Sequence, residues 1–188
     1  MPEQGASPTA DPDGSRRWAG VAVGGRPPPP TRSDGARVRG GILLVGSSGG
    51  HLAQLLALRP WWTHRVRQWV TFRTPDAESV LADEVVTWAY YPTTRNIPNL
   101  LRNTVLAGRV LRRSRPEAIV STGAGVALPF FVFGRLLRIP TVYIEVYDRI
   151  DSRTMTARLC RPFTTRMLVQ WEEQRHLYPH ATVVGTLL

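Results

Sequence analysis

From Gly40 onward, short apolar or β-branched runs recur at residues 42–45, 68–72, 85–90, 118–121, 141–146, 166–169 and 182–184. Each run is too short for a helix and long enough for a strand buried on both faces. The segments between them carry helical patterning, at roughly 51–58, 76–82, 98–113, 126–137, 154–159 and 171–177. Pro116 and Pro140 each precede a strand run, where a helix has to have stopped. Strand and helix in alternation predict a parallel sheet with helices on both faces, that is, one doubly wound, Rossmann-like α/β domain over residues 40–188. Residues 1–39, rich in Pro, Gly, Ser, Asp and Arg, show no apolar period and read as a disordered extension.

On a helical wheel, segment 98–113 places Ile97, Leu100, Leu101, Ala107, Gly108 and Leu111 on one side. Arg102, Arg109 and Arg113 stack opposite, with Leu106 near them. Such a face suits either a solvated crossover helix or contact with an anionic membrane, and the wheel does not separate the two. No apolar run reaches the length needed to span a bilayer, because the nearest candidate, 123–137, is broken by Pro129 and Arg135. The N-terminus also lacks the apolar stretch of a signal peptide.

Charge narrows the class of partner. The formal net charge is +10, and all the basic side chains other than histidine are Arg. That excess favours anionic partners such as phosphates and phospholipids. No aromatic-interleaved basic patch supports nucleic acid. A single cysteine, Cys160, excludes an intrachain disulfide and a multi-cysteine metal site, and no metal or cofactor is expected.

In doubly wound sheets, ligands bind beyond the carboxyl ends of the strands. The first such loop, Gly46-Ser47-Ser48-Gly49-Gly50-His51, joins a strand to a helix. Its glycines allow close backbone approach to an anion, and a helix N-terminus offers free N–H groups. The glycine spacing is not that of a dinucleotide fingerprint, and the lysine of a P-loop is missing. The plainer alternative is a tight turn capped by Ser47 or Ser48. His51, at the helix start, is expected to stay neutral beside the helix dipole, as a general base must; equally, it could only pack the turn.

The fourth strand ends in a second small-residue turn, Ser121-Thr122-Gly123-Ala124-Gly125. The fifth delivers Glu145, whose burial at the end of an apolar strand costs desolvation unless it is paired or used. Arg149 is placed to pair with Glu145 or Asp148. Arg95 and Asn96, after the third strand, are further polar candidates.

These segments together resemble a family. Residues 42–51, Trp69-Val70-Thr71-Phe72, Tyr91-Pro92-Thr93 with Arg95-Asn96, Ser121-Thr122-Gly123, residues 143–151 and Val169-Gln170-Trp171-Glu172-Glu173 are similar to bacterial capsular and exopolysaccharide glycosyltransferase subunits. Those in turn resemble the membrane-recruiting subunit of the eukaryotic two-chain N-acetylglucosaminyltransferase that extends dolichol-linked sugar. The resemblance implies the N-terminal, acceptor-facing half of a GT-B glycosyltransferase. The nucleotide sugar would be bound mainly by a separate donor-binding chain, and the acceptor would be a polyprenyl-pyrophosphate-linked glycolipid. It also implies an enzyme active only with its partner, peripheral on the inner face of the cell membrane.

The catalytic candidates are then His51 and Glu145. Gly46, Ser47, Ser48, Gly49, Gly50, Arg95, Asn96, Thr122, Gly123 and Arg149 would bind acceptor or phosphate, and Arg102, Arg109 and Arg113, or the apolar stretch 126–137, would meet the membrane. A non-catalytic scaffold for the partner and a stand-alone nucleotide-binding protein are the competing expectations.

Overall fold

The computed structural model describes residues 39–187 except Thr94; the extension expected over 1–39 therefore lies, save Arg39, outside the described residues. Seven parallel strands form one sheet: β1 Ile42–Val45, β2 Arg67–Phe72, β3 Val86–Ala89, β4 Ala118–Ser121, β5 Thr141–Ile144, β6 Arg166–Val169 and β7 Thr182–Val183. All seven runs read from the sequence are strands. Their order is β3-β2-β1-β4-β5-β6-β7, so the winding reverses between β1 and β4, and a crevice opens at the carboxyl ends of those two strands.

Alternation along each strand sorts side chains to two covered faces. Ile42, Leu44 and Trp69 pack with Leu52, Leu55, Trp62, Ala77 and Leu81 of α1 Gly50–Ala57, α2 Arg59–Trp62, and α3 Pro75–Val80 with the residue that ends it. Leu43, Val45 and Ile119 face the other way, onto α4 Ile97–Ser114, α5 Ala127–Leu136 and α6 Met155–Cys160. The four residues of β1 are all buried, as a strand covered on both faces requires.

The structure departs from the sequence reading at four places. α2 does not stand out as a helix in the apolar pattern; it forms because Trp62 packs edge-on against Trp69 at 5.6 Å and its indole N–H donates to the Leu55 carbonyl at 2.9 Å. The helix expected at 171–177 is only a 3-10 turn, Glu173–His176. There the Gln174 side chain accepts from the Gln170 and Trp171 amides, which fixes a turn rather than a helical start.

Another concerns α4. Ile97, Leu101 and Val105 are 69%, 62% and 60% exposed, while Asn99 and Asn103 are buried. The reading holds at Ala107, Gly108 and Leu111, which are buried, and at Arg102, Arg109 and Arg113, which are exposed. It fails at Ile97 and Leu101, because over the first turns two amides with backbone partners take the inward positions. Asn103 accepts from the Tyr90 amide at 2.9 Å and donates to the Tyr90 carbonyl at 3.0 Å. Asn99 donates to the Pro92 carbonyl at 2.9 Å. Similarly, the stretch proposed for membrane contact at 126–137 is largely core, since Val126, Ala127, Phe130 and Phe131 are fully buried.

Asn103→Ala strips both partners from the Tyr90 peptide groups and is expected to destabilise the domain by about 1–3 kcal/mol in chemical denaturation. Arg109→Ala, an exposed site on the same helix, is the control and should stay within about 0.5 kcal/mol of wild type. Equal effects from both would contradict the amide clamp.

Candidate functional site

The β1–α1 loop and the β4–α5 turn meet at the crevice through one reciprocal pair. His51 Nδ1 lies 2.9 Å from the Thr122 carbonyl oxygen, and the Thr122 hydroxyl donates to the His51 carbonyl at 2.9 Å. A carbonyl cannot donate, so Nδ1 carries the proton and Nε2 keeps its lone pair. Burial is the main cause that lowers the His51 pKa from 6.5; the Thr122 carbonyl and the Asp148 carboxylate oppose it. Neutrality thus comes from desolvation, where the sequence had suggested the helix dipole.

Gly123 makes this packing feasible. Its φ is +116°, and a Cβ there would sit 2.8 Å from the Tyr143 hydroxyl and 3.1 Å from His51 Cε1. The imidazole and the Tyr143 phenol therefore share the space that a side chain at 123 would fill. Gly46, buried, packs beneath the same turn: a Cβ there would be 3.0 Å from Leu55 and 3.7 Å from the Thr122 hydroxyl.

The glycine loop is open on its outer side. α1 is capped by Gly49, with φ +71° and no side-chain cap, and a Cβ at Gly49 or Gly50 would meet nothing within 4 Å. The expected serine cap is absent: the Ser47 hydroxyl donates to the Ser48 carbonyl instead. Exposed backbone at a helix start can receive an anion. Asp76, at the start of α3, was not singled out in the sequence. Its pKa is lowered by the Thr74 hydroxyl first and, among smaller causes, by the Gly49 amide, which sets a carboxylate at the loop's edge.

Two further loops wall the crevice. The β3–α4 loop carries Tyr91, 70% exposed, with its ring 5.1 Å from Phe72, and it crosses to the β4–α5 turn, where a Cβ on Gly125 would lie 3.0 Å from Thr93 Oγ1. In this loop Asn96 spends its side chain capping α4, accepting from the Asn99 amide at 2.9 Å, while Arg95 is exposed at φ +52°.

The β5–α6 loop starts at Glu145, which is fully buried. One carboxylate oxygen accepts from the Val146 amide at 3.1 Å and the Thr154 hydroxyl at 3.2 Å, and the other from the Tyr178 hydroxyl. Burial raises its pKa from 4.5, against these hydrogen bonds. Thr154 also caps α6, accepting from the Ala157 amide. Glu145 thus ties the loop's two ends together and offers no oxygen to solvent. Arg149 makes neither of the ion pairs expected of it; among the described residues the salt bridges are Arg67–Glu84, Arg73–Glu78 and Arg175–Glu172. The structure therefore gathers Gly46, Ser47, Ser48, Gly49, Gly50, His51, Thr122 and Gly123 at one crevice, with Arg95 and Arg149 on its outer loops. Arg102 stacks over Tyr90 at 5.7 Å, and Arg109 and Arg113 lie on the outer face of α4.

The chain has known relatives in sequence and in fold. The family described as "Oligosaccharide biosynthesis protein Alg14 like" matches residues 90–187, just over half of the chain. The UDP-N-acetylglucosamine transferase subunit ALG14 of Mus musculus is 20% identical over 179 residues, covering 78% of this chain and 82% of its own. A UDP-N-acetylglucosamine–N-acetylmuramyl-(pentapeptide) pyrophosphoryl-undecaprenol N-acetylglucosamine transferase of Roseiflexus sp. is 34% identical over 114 residues, covering 61% of this chain and 23% of its own. Among solved structures, Acinetobacter baumannii MurG superposes with a TM-score of 0.61 at 18% identity, over 77% of this chain and 44% of that one. A UDP-GlcNAc 2-epimerase from Methanocaldococcus jannaschii superposes equally well, at 0.61 and 12% identity. At these identities the two structures establish the shared fold alone, and the chain spans less than half of either.

The two pKa shifts link stability to pH with opposite signs. His51 titrates below the 6.5 of an unfolded chain, so unfolded protein takes up the proton first and stability falls as pH drops below 6.5 toward the folded value. Glu145 titrates above 4.5, so its contribution is complete below 4.5 and is lost as pH rises through the folded value. Thermal melts across pH should show the first dependence removed in His51→Gln and the second in Glu145→Gln. Melting profiles that match wild type at every pH would contradict the burial of these groups.

Proposed function

The chain belongs to the Alg14-like family, and on that premise we propose that it is the acceptor-side half of a two-part N-acetylglucosamine-type transferase acting in surface polysaccharide synthesis. Its acceptor is a sugar on a polyprenyl pyrophosphate, and a separate donor-binding chain holds the nucleotide sugar. The observation that carries this reading is His51: Nδ1–H is engaged by Thr122, and Nε2 is left as a base beside a glycine loop open to an anion.

In this reading the loop amides at Gly50 and His51 hold a phosphate of the acceptor, and Nε2 takes the proton from the attacking hydroxyl. The new bond forms between that oxygen and the anomeric carbon of the donor. The bond from that carbon to the nucleotide diphosphate breaks, and the diphosphate leaves with its electron pair. Glu145 then acts as a positioning residue, holding the β5–α6 loop, and His51 carries the base role from this chain.

The membrane surface is read from α4. Among the described residues no helix is long and apolar enough to cross a membrane. Along α4, Ile97, Leu101 and Val105 are exposed near the crevice end, beside exposed Tyr90 and Tyr91. Farther along, Arg109, Arg112 and Arg113 border a groove of about 520 Å³ floored by Phe133 and Gly108. Residues 97–115 contain no acidic side chain. Apolar residues that enter the interface and arginines that meet phosphates suit a peripheral protein on an anionic leaflet, the inner face of the cell membrane, with Arg102 between the two zones.

Transfer of labelled sugar to membrane lipid should require both this chain and the donor-binding chain, and His51→Ala should lower it by about 100-fold or more. Unchanged turnover in His51→Ala would establish a scaffold instead. Leu101→Glu with Val105→Glu should abolish co-sedimentation with phosphatidylglycerol vesicles at an unchanged melting temperature; retained sedimentation would remove α4 from the membrane contact.

A further inference from the structure

We propose that the β5–α6 loop and the outer face of α6 form the docking surface for the donor-binding chain. This rests on the two-chain reading above and adds where the partner sits. Tyr147, Ile150, Met155 and Leu159 are 46%, 39%, 69% and 48% exposed. Met155 and Leu159, four residues apart on α6, share one helical face. Thr154, bonded to Glu145 at the end of β5, starts α6 at the carboxyl edge of the sheet. The apolar rim therefore borders the crevice on the side away from β3 and α4.

The loop is exposed yet held in place. The buried Gln174 side chain donates to the Val146 and Arg149 carbonyls, both at 2.9 Å, while its oxygen accepts the Gln170 and Trp171 amides. All four of its hydrogen-bonding positions are used. The Trp171 indole donates to the Tyr147 carbonyl at 2.8 Å, and the Arg153 guanidinium donates to the Leu177 carbonyl. Fixing a loop before it binds lowers the entropy cost of association. Tyr, Met and Arg are also the residue types enriched in the cores of protein interfaces.

Charge favours a protein here over a bilayer. Asp148, Asp151, Glu172 and Glu173 lie on these loops, in contrast to α4, which has no acidic residue. With Arg149, Arg153, Arg158 and Arg175 among them, and Glu172 paired with Arg175, the charge here is mixed, so this surface lacks the uniformly basic character that draws α4 to an anionic leaflet. Arg149 and Arg158, both exposed, have no side-chain partner among the described residues, so two guanidiniums remain for carboxylates on the incoming chain. The surface thus fits a nucleotide-sugar-binding chain that presents an apolar patch with carboxylates placed opposite Arg149 and Arg158. With α4 on the membrane and α6 on the partner, the crevice around His51 lies between lipid and donor.

The test uses the tagged full chain, expressed in its own cells, with a photo-crosslinking amino acid at position 155. The expected product joins it to a second chain that, once purified, binds UDP-N-acetylglucosamine. Met155→Asp with Leu159→Asp should cut recovery of that chain at least tenfold without lowering the melting temperature, whereas Val80→Asp, at an exposed site on α3 outside both surfaces, should leave recovery unchanged. Undiminished recovery in the α6 variant, or a cross-link to lipid or to a second copy of this chain, overturns the proposal. If the wild-type chain retains no nucleotide-sugar-binding protein, the two-chain reading itself fails and takes the docking surface with it.

Discussion

The two hydrogen bonds between His51 and Thr122 are the constraint on which the site depends. They join the loops after β1 and β4 at the point where the sheet's winding reverses. The Thr122 carbonyl selects one imidazole tautomer, burial keeps the ring neutral, and both effects follow from where the strands end. Gly123 is needed because the imidazole and the Tyr143 phenol already occupy the space where its side chain would go.

Around this pair, side-chain amides hold the two walls of the crevice. Asn99 and Asn103 of α4 take the peptide groups of the β3–α4 loop; Gln170 and Gln174 do the same beyond β5 and β6. Gln170 also donates to Gln54 of α1, one turn beyond His51, at 2.7 Å. Buried amides that both donate and accept fix a loop without leaving a net charge in the core. The walls differ in their outward chemistry: one is apolar and basic, the other apolar with mixed charge. This difference gives the molecule two faces suited to different partners.

Much of the fold is legible in the sequence because parallel strands covered on both faces read as apolar runs, and residues 42–45 and 118–121 are plain examples. The GSSGGH loop and His51 are legible too, since position after a strand and before a helix already limits what they can contact. What escapes is set by distant pairing. Asn103 reads as polar and outward until Tyr90 is known to lie against it, and that error puts Ile97 and Leu101 on the buried side of α4. Gln174 reads as helical until its four backbone partners are seen. Glu145 looks like an available carboxylate until Thr154, at the far end of its own loop, and Tyr178, distant in sequence, close over it. Asp76 was missed because nothing in its own segment points to the Gly49 amide.

The central claim is that Thr122 fixes the imidazole so that a lone pair faces the crevice. Long-range proton–nitrogen NMR on the 15N-labelled chain at neutral pH tests it most directly, because the two ring nitrogens of His51 report their own protonation. The account predicts a protonated, pyrrole-like Nδ1 and an unprotonated Nε2. A proton on Nε2, or an imidazolium at that pH, would contradict it.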